Sequence, residues 1–175
     1  LLLDGEGRPL IHNMTWRDTR SNDQVSAFCA QHPEIDAYHI TGEESLPQHT
    51  LFKLLWIQEH QPEIWEKAAY ICLSPKDYVI LKMLGVRRTS RSIAQSTGLF
   101  DINRLEYSQP ILQAAHIDPA MLPELLDSNQ IAGRLKGEMA AALGLAPETP
   151  VICGLCDATA SQVGWASVGE GKFTI

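Results

Sequence analysis

Apolar residues recur along this chain at two spacings, one typical of amphipathic helices and the other of short buried strands. The helical spacing predicts helices over residues 19–31, 51–60, 62–67, 75–84 and 135–143. Short helices are also expected over residues 112–115 and 121–126, and a helix rich in small residues is expected after Gly154. Uninterrupted apolar runs predict strands over residues 1–3, 69–73 and 150–153, with further strands near residues 9–13 and 172–175. Because strands and helices alternate along the chain, we predict an α/β fold.

Residue types at the expected helix ends support these boundaries. Ser74 stands where it would cap the helix over residues 75–84, and Gly85 stands where that helix should stop. Pro62 suits a first helical turn, where its missing N–H leaves no hydrogen bond unmade. Asp18 is a candidate cap for the first helix, whereas the polar segment 86–96 is expected to be irregular.

The charge balance and the length of the apolar runs indicate which kinds of binding partner are not expected. The 175 residues include 14 Lys and Arg against 21 Asp and Glu, a net charge of −7. A nucleic-acid surface needs clustered positive charge, and we interpret the local cluster of Arg87, Arg88 and Arg91 as a solvated loop. No apolar run approaches the ~20 residues that a membrane span requires. We therefore expect neither a nucleic-acid nor a membrane partner.

The cysteines indicate the cellular compartment of the protein, and the two ends of the chain indicate whether it is a piece of a longer protein. The sequence contains four cysteines, at Cys29, Cys72, Cys153 and Cys156. Their number and spacing do not resemble a secreted disulfide framework, so we expect a cytoplasmic protein. The first methionine is Met14, and the chain both opens and stops inside a strand-like run. We therefore expect residues 1–175 to be one piece of a longer protein.

The stretch from Val151 to Asp157 carries the most chemistry. An apolar strand ends there in a glycine-containing turn, and Asp157 stands where the turn meets a helix. Ligands of α/β folds lie at such strand ends and helix N-termini, so Asp157 is a helix cap, a metal ligand or a base. Cys153 and Cys156 form a C-x-x-C, which is either a redox or metal half-site or two small buried residues. A zinc site would need a second pair at similar spacing, and the sequence has none.

Seven short segments together resemble the FGGY family of carbohydrate kinases, in the family's order and along nearly the whole chain. They are Trp16–Arg20 (W-x-D-x-R), Lys53–His60 (K-x-x-W), Lys76–Gly85 (D-Y…L-T-G), Thr97–Asp101 (T-x-L-x-D), Ile117–Pro123 (L-P), Gly133–Leu135 and Pro150–Asp157 (P-V-x-x-G-x-x-D). The chain departs from the family pattern at four positions: Gln48, Leu84 in place of the Thr of L-T-G, Ser90 and Gln95. These departures bear on substrate identity more than on the reaction.

The resemblance implies a fold of two actin-like, ribonuclease-H-like domains with ATP and sugar in the cleft between them. Residues 1–175 would then be part of the N-terminal, sugar-binding domain, with the upstream phosphate-loop hairpin and the C-terminal nucleotide domain outside this chain. The resemblance makes Asp157 the general base and a sugar-binding residue, and it places Gln48 and His49 beside the sugar as well. ATP and Mg²⁺ are the implied cofactors, with no cofactor-binding residue and no metal ligand in this chain. Sugar and ATP are the implied partners, and a homodimer is compatible with the resemblance.

Several alternatives remain open at this point. Xylulose, a ketopentose, is the expected substrate because the segments Lys53–His60 and Asp77–Gly85 are similar to xylulokinases, but gluconate, a polyol or another ketose fits nearly as well. One alternative to a sugar kinase is a related protein that binds sugar without catalysis. Another is a thiol redox or metal-binding module built on the C-x-x-C. Gln48 and His49 are sugar contacts or parts of an exposed loop. Trp16, Asp18 and Arg20 either frame the pocket or hold a turn, and we favour the turn.

Overall fold

The computed structural model describes residues 1–172; the strand expected to start near residues 172–175 therefore lies largely outside the described residues. Within that part, the helices are α1 (Asn22–Gln31), α2 (Ala37–Thr41), α3 (Thr50–His60), α4 (Pro62–Trp65), α5 (Pro75–Leu84), α6 (Arg91–Gln95), α7 (Gln109–Ala114), α8 (Gly137–Leu143) and α9 (Asp157–Gly164). A 3-10 helix spans Pro119–Met121. The strands are β1 (Leu2–Leu3), β2 (Tyr70–Ile71), β3 (Arg88–Ser90), β4 (Phe100–Asp101), β5 (Glu106–Tyr107), β6 (Glu124–Leu126), β7 (Ile131–Arg134) and β8 (Pro150–Ile152).

The strands pair two by two. Antiparallel pairs join β1 to β2, β4 to β5 and β7 to β8, whereas β3 and β6 run parallel. Leu3 also forms an isolated bridge with Pro9, where a second strand was expected near residues 9–13. The predicted mixture of strands and helices is confirmed. Among the described residues, no helix has the length and apolarity needed to cross a membrane.

Helix α5 shows how local chemistry sets an element's ends. The Ser74 hydroxyl accepts the N–H of Asp77 at 3.4 Å, and Gly85 closes the helix in the left-handed conformation with φ 72°. Both ends fall where the sequence predicts, because a serine cap and a C-terminal glycine satisfy exposed backbone groups. The predicted cap of α1 is wrong. Ser21 occupies that position, and Asp18 instead forms an ion pair with Arg20 at 2.8 Å.

Two segments differ from the sequence prediction. Residues 86–96 are not irregular, since they form β3 and α6. Their polarity was misleading because Thr89 and Ser90 are fully buried and hydrogen-bonded to their surroundings. Residues 121–126 are not a helix, because they leave the 3-10 helix and continue as β6 beside β3.

Two apolar clusters organise the chain. The larger joins β1, β2, α1, α3 and α7, with Phe52 and Leu112 almost fully buried. The second joins α5, β7 and α8 through Leu84, Ala132, Leu135 and Ala140. A side chain at Gly133 would meet Leu84 Cδ1 at 3.0 Å, so the leucine that replaces the family's threonine packs onto a bare backbone. Strand β8, expected to be buried, is mostly exposed, and only the following Cys153 is buried.

Candidate functional site

An open cavity of about 440 Å³ lies between the loop 13–17, the start of α3 and the turn after α6. Its lining is Asn13, Met14, Thr15, Trp16, Arg17, Gln48, Thr50, Lys53, Leu73, Pro75, Ser96 and Thr97. The structure therefore brings together Gln48, predicted as a sugar contact, and Trp16, for which we favoured a structural role. Thr97 and Lys53 also line it, and both belong to segments singled out only for their resemblance to the family.

The loop that carries Trp16 is held by hydrogen bonds and ion pairs of neighbouring side chains. The Lys53 ammonium donates to the Thr15 carbonyl at 2.7 Å, and burial lowers the pKa of Lys53, although nearby Asp18 opposes that effect. Arg20 pairs with Asp18 and lies 4.8 Å above the Trp56 ring. Asp18 and Arg20 therefore hold the turn as expected, whereas Trp16, 74% exposed, lies at the cavity with the Arg17 guanidinium 5.9 Å from its ring.

His49 has a different environment from its neighbour Gln48. Its ring is buried, its Nε2 lies 3.0 Å from a Glu43 carboxylate oxygen, and it stacks on Phe52 at 6.5 Å. A side chain added at Gly98 would meet His49 Cβ at 3.3 Å. The imidazole is thus held by Glu43 and Phe52, beside space that a side chain at residue 98 would occupy, and His49 is not among the residues that line the cavity. Its predicted contact with a sugar stays a prediction.

The environment of His49 predicts a pH dependence of stability. Burial lowers its pKa below 6.5, an effect that outweighs the attraction of Glu43, and Lys53 lowers it further. The unfolded chain therefore binds a proton more readily than the fold, so this contribution to stability is present above about pH 6.5 and is lost as the pH falls towards the lower folded-state pKa. We expect the thermal midpoint of the full-length protein to fall from pH 7.5 to 5.5, and to fall less in His49→Gln.

The measurement is thermal unfolding of both proteins at the two pH values. His12→Gln is the matched control, since His12 is exposed, and its midpoint should follow the wild type at both pH values. Identical pH dependence of the wild type and His49→Gln would contradict the assignment.

Asp157 is the first residue of α9. The cap position belongs to Cys156, whose side chain makes no capping bond, so the interpretation of Asp157 as the cap is wrong. Its carboxylate is exposed and accepts the N–H of Ala158 at 2.9 Å. A carboxylate at a helix N-terminus is favoured by the helix dipole. Asp157 does not line the cavity that contains Gln48.

Helix α6 connects the Asp157 turn with the cavity. Near its start, Ser92 contacts Cys156 and Thr159 at the beginning of α9. At its end, Ser96 lies in the cavity wall. At a rise of about 1.5 Å per residue, Ser92 and Ser96 are separated by about 6 Å along the helix axis. Helix α6 is therefore the element that contacts the start of α9 at one end and the cavity wall at the other.

The C-x-x-C cysteines occupy unlike surroundings. Burial raises the pKa of the Cys153 thiol. Partial burial alone would raise the pKa of Cys156 as well, but hydrogen bonds with Ser92 and Thr159 outweigh burial, and its pKa is lowered. All four cysteines are free thiols. Across residues 1–172, no group of three or more His, Cys, Asp or Glu is arranged to hold a metal ion, so the metal-module alternative finds no support in this part of the chain.

The three arginines that are close in sequence, Arg87, Arg88 and Arg91, do not form a common basic surface in the fold. Arg88 pairs with Glu124 at 2.8 Å and donates to the Ala132 carbonyl. Arg91 pairs with Asp127, and Arg87 lies 5.0 Å above the Tyr70 ring. The three arginines therefore serve separate local contacts rather than one basic surface.

Known proteins resemble this chain along its length. The model of the FGGY family of carbohydrate kinases, N-terminal domain, matches residues 1–164. A xylulose kinase of Bacillus subtilis (strain 168) is 35% identical over 175 residues, which cover 98% of this chain and 34% of that protein. A gluconokinase of the same organism is 27% identical over 176 residues, covering 100% of this chain and 34% of that protein.

Solved structures agree with the sequence comparisons. The crystal structure of a xyloylose kinase from Brucella ovis matches with a TM-score of 0.90 at 29% identity, covering 97% of this chain and 34% of that one. The chain thus spans about a third of the length of these relatives. The actin-like α/β class implied by the motifs is confirmed. Since the family model matches most of its residues, this chain belongs to the FGGY family of carbohydrate kinases.

Proposed function

We propose that the protein containing these residues transfers a phosphoryl group from ATP to a sugar hydroxyl, and that xylulose is its preferred sugar. The observation that carries the proposal is the exposed Asp157 carboxylate at the start of α9, one short helix away from the open cavity with Gln48 and Trp16. A carboxylate so placed can orient the attacking hydroxyl and accept its proton as the phosphoryl group moves. Such general-base assistance is typically worth ~10²–10⁴-fold in rate.

The cavity lining suits a polyhydroxylated ligand. Gln48 offers an amide with one acceptor and two donors, Thr97 adds a hydroxyl, and the exposed Trp16 ring offers an apolar face. A polar site discriminates because a buried hydroxyl or amide left unpaired costs ~1–3 kcal/mol. The relatives support xylulose as the sugar, because two xylulose kinases are 35% identical to this chain, whereas two gluconokinases are 27–28% identical.

We also propose that residues 1–175 form part of the N-terminal, sugar-binding domain and that ATP is bound mainly by parts of the protein outside this chain. Mg²⁺ usually takes one or two carboxylates together with phosphate oxygens and waters. Within residues 1–172, Asp157 is the carboxylate at the candidate site, and no cluster of acidic ligands accompanies it. We propose that Mg²⁺ enters the site bound to the phosphates of ATP, and we give no residue of this chain the role of a metal ligand. The four free thiols fit the reducing cytoplasm that we propose as its location.

The proposal is tested by a coupled ATP-consumption assay of the full-length protein with xylulose, gluconate, other ketoses and glycerol. We expect the five- and six-carbon substrates to exceed glycerol at least about tenfold in kcat/KM, a difference of about 1.4 kcal/mol, with xylulose highest. Glycerol as the best substrate, or no ATP consumption with any compound, would overturn the proposal.

Gln48→Ala connects this preference to the cavity. Because the amide of Gln48 pairs with a hydroxyl in both ground and transition states, its loss should raise the sugar KM with a smaller change in kcat. The same panel of substrates measures the effect, and the preference over glycerol should shrink. An unchanged ranking with an unchanged KM would show that the sugar lies elsewhere.

A further inference from the structure

Within the part of the chain that the structure describes, the side chain of Ser92 on α6 holds the start of α9. The Ser92 hydroxyl on α6 accepts the backbone N–H of Cys156 at 3.3 Å. The same oxygen lies 3.5 Å from the Cys156 sulfur and 3.3 Å from the Thr159 hydroxyl. The Cys156 sulfur and the Thr159 hydroxyl are in turn 3.0 Å apart. These contacts connect positions more than sixty residues apart in sequence, so they are tertiary and not part of the local helix start.

Helix α9 has little else in the described chain to fix its first turn. None of its residues is buried, and its cap residue Cys156 makes no side-chain capping bond. Within residues 1–172, every hydrogen bond between residues 156–159 and another helix or strand involves Ser92. Backbone hydrogen bonds from Cys153 to Gln130 and from Gly154 to Ser128 hold the preceding strand end, and the Ser92 hydroxyl then positions the first turn of α9.

We propose that Ser92 is a positioning residue that sets the place of the Asp157 carboxylate through the first turn of α9. This inference rests on the proposed function of Asp157. The chain passes directly from Cys156, held by Ser92, to Asp157, so a shift of this turn moves the base. A displacement of about 1 Å at a reacting group can cost ~10²-fold in rate. Because α6 also ends in the cavity wall at Ser96, the same helix sets the base and the sugar pocket relative to each other.

The first test is steady-state kinetics of full-length variants. We expect Ser92→Ala to lower kcat about tenfold while the KM values for sugar and ATP stay within about threefold, since Ser92 does not line the cavity. Ser92→Thr retains the hydroxyl and should restore most of kcat. Ser161→Ala is the matched control, because it removes an exposed hydroxyl from α9 itself, and its kcat should equal that of the wild type. Wild-type kcat in Ser92→Ala, or no recovery in Ser92→Thr, would overturn the inference.

The second test does not depend on activity. Hydrogen exchange followed by mass spectrometry should show at least about tenfold faster exchange in peptides covering residues 155–164 of Ser92→Ala, because the hydrogen bonds that join residues 156–159 to another element within residues 1–172 are lost. Peptides covering α5 should exchange as in the wild type. Unchanged exchange over residues 155–164 would overturn the positioning role. Faster exchange in a protein that consumes no ATP with any sugar would support the role of Ser92 and refute the proposed kinase function.

Discussion

Asp157→Asn in the full-length protein is expected to lower kcat about 100-fold or more, within the ~10²–10⁴-fold range of general-base catalysis. Asparagine has nearly the same shape and can still accept the N–H of Ala158, which Asp157 binds at 2.9 Å. It cannot accept a proton from the sugar hydroxyl. The fold and the cavity lined by Gln48 and Trp16 should therefore survive, and the KM for sugar should change by less than about threefold.

The measurement is kcat and KM in the coupled ATP-consumption assay, together with the thermal midpoint of each protein. Asp23→Asn is the matched control, because Asp23 is also an exposed aspartate in the first turn of a helix, α1, and does not line the cavity. The two variants lose the same charge in the same helix-dipole environment, and only Asp157→Asn should lose turnover. Wild-type kcat in Asp157→Asn would end the assignment of Asp157 as the base.

The sequence predicts well those elements whose ends are set by their own residues. Helix α5 begins and ends where Ser74 and Gly85 require it, because capping depends on atoms within three or four residues. Elements β3 and α6 escape prediction since Thr89 and Ser90 are polar yet buried, and the hydroxyl of Thr89 is paired with Asp77 on another element. A search for periodic apolar residues cannot detect a strand whose buried residues are polar.

One departure from the family motif has a simple physical explanation. Ser90, which replaces the usual aspartate, is the cap of α6, and its hydroxyl accepts the N–H of Ile93 at 3.3 Å. Serine and aspartate are among the strongest capping residues, so the replacement preserves the start of the helix that carries Ser92. This function was not apparent from sequence because the helix itself was not predicted.

The candidate site could be predicted only in part. The motif places Asp157 at a strand-helix junction, and the structure puts Gln48 in a cavity wall. The burial of the His49 ring could not be predicted, because it depends on an ion pair with Glu43 and on stacking against Phe52. Ser92 was missed for the same reason, since its partners lie more than sixty residues later in the chain. Contacts of this kind become visible only once the chain is folded.

Asp77→Ala is expected to destabilise the protein by about 3 kcal/mol, the lower end of the ~3–5 kcal/mol range for breaking a buried pair from one side. Asp77 is fully buried. One carboxylate oxygen lies 2.6 Å from the Lys76 ammonium, and the other accepts the hydroxyl of buried Thr89 at 2.8 Å. The carboxylate thus joins α5 to β3, the strand that leads into α6. Its removal leaves a partly buried ammonium and a buried hydroxyl without their partner, and both then carry an unpaired desolvation cost.

The change is measured by urea unfolding of the full-length protein, followed by tryptophan fluorescence. Asp77→Asn, which can still accept the Thr89 hydroxyl, should cost less than Asp77→Ala. The double variant Lys76→Met/Asp77→Leu should recover part of the loss, because apolar residues of similar volume often replace a buried ion pair without penalty. Asp127→Ala is the matched control: it breaks an exposed pair with Arg91, and such pairs are worth about 0–1 kcal/mol. If Asp77→Ala were no more destabilised than Asp127→Ala, the Asp77 carboxylate would not be what holds α5 to β3.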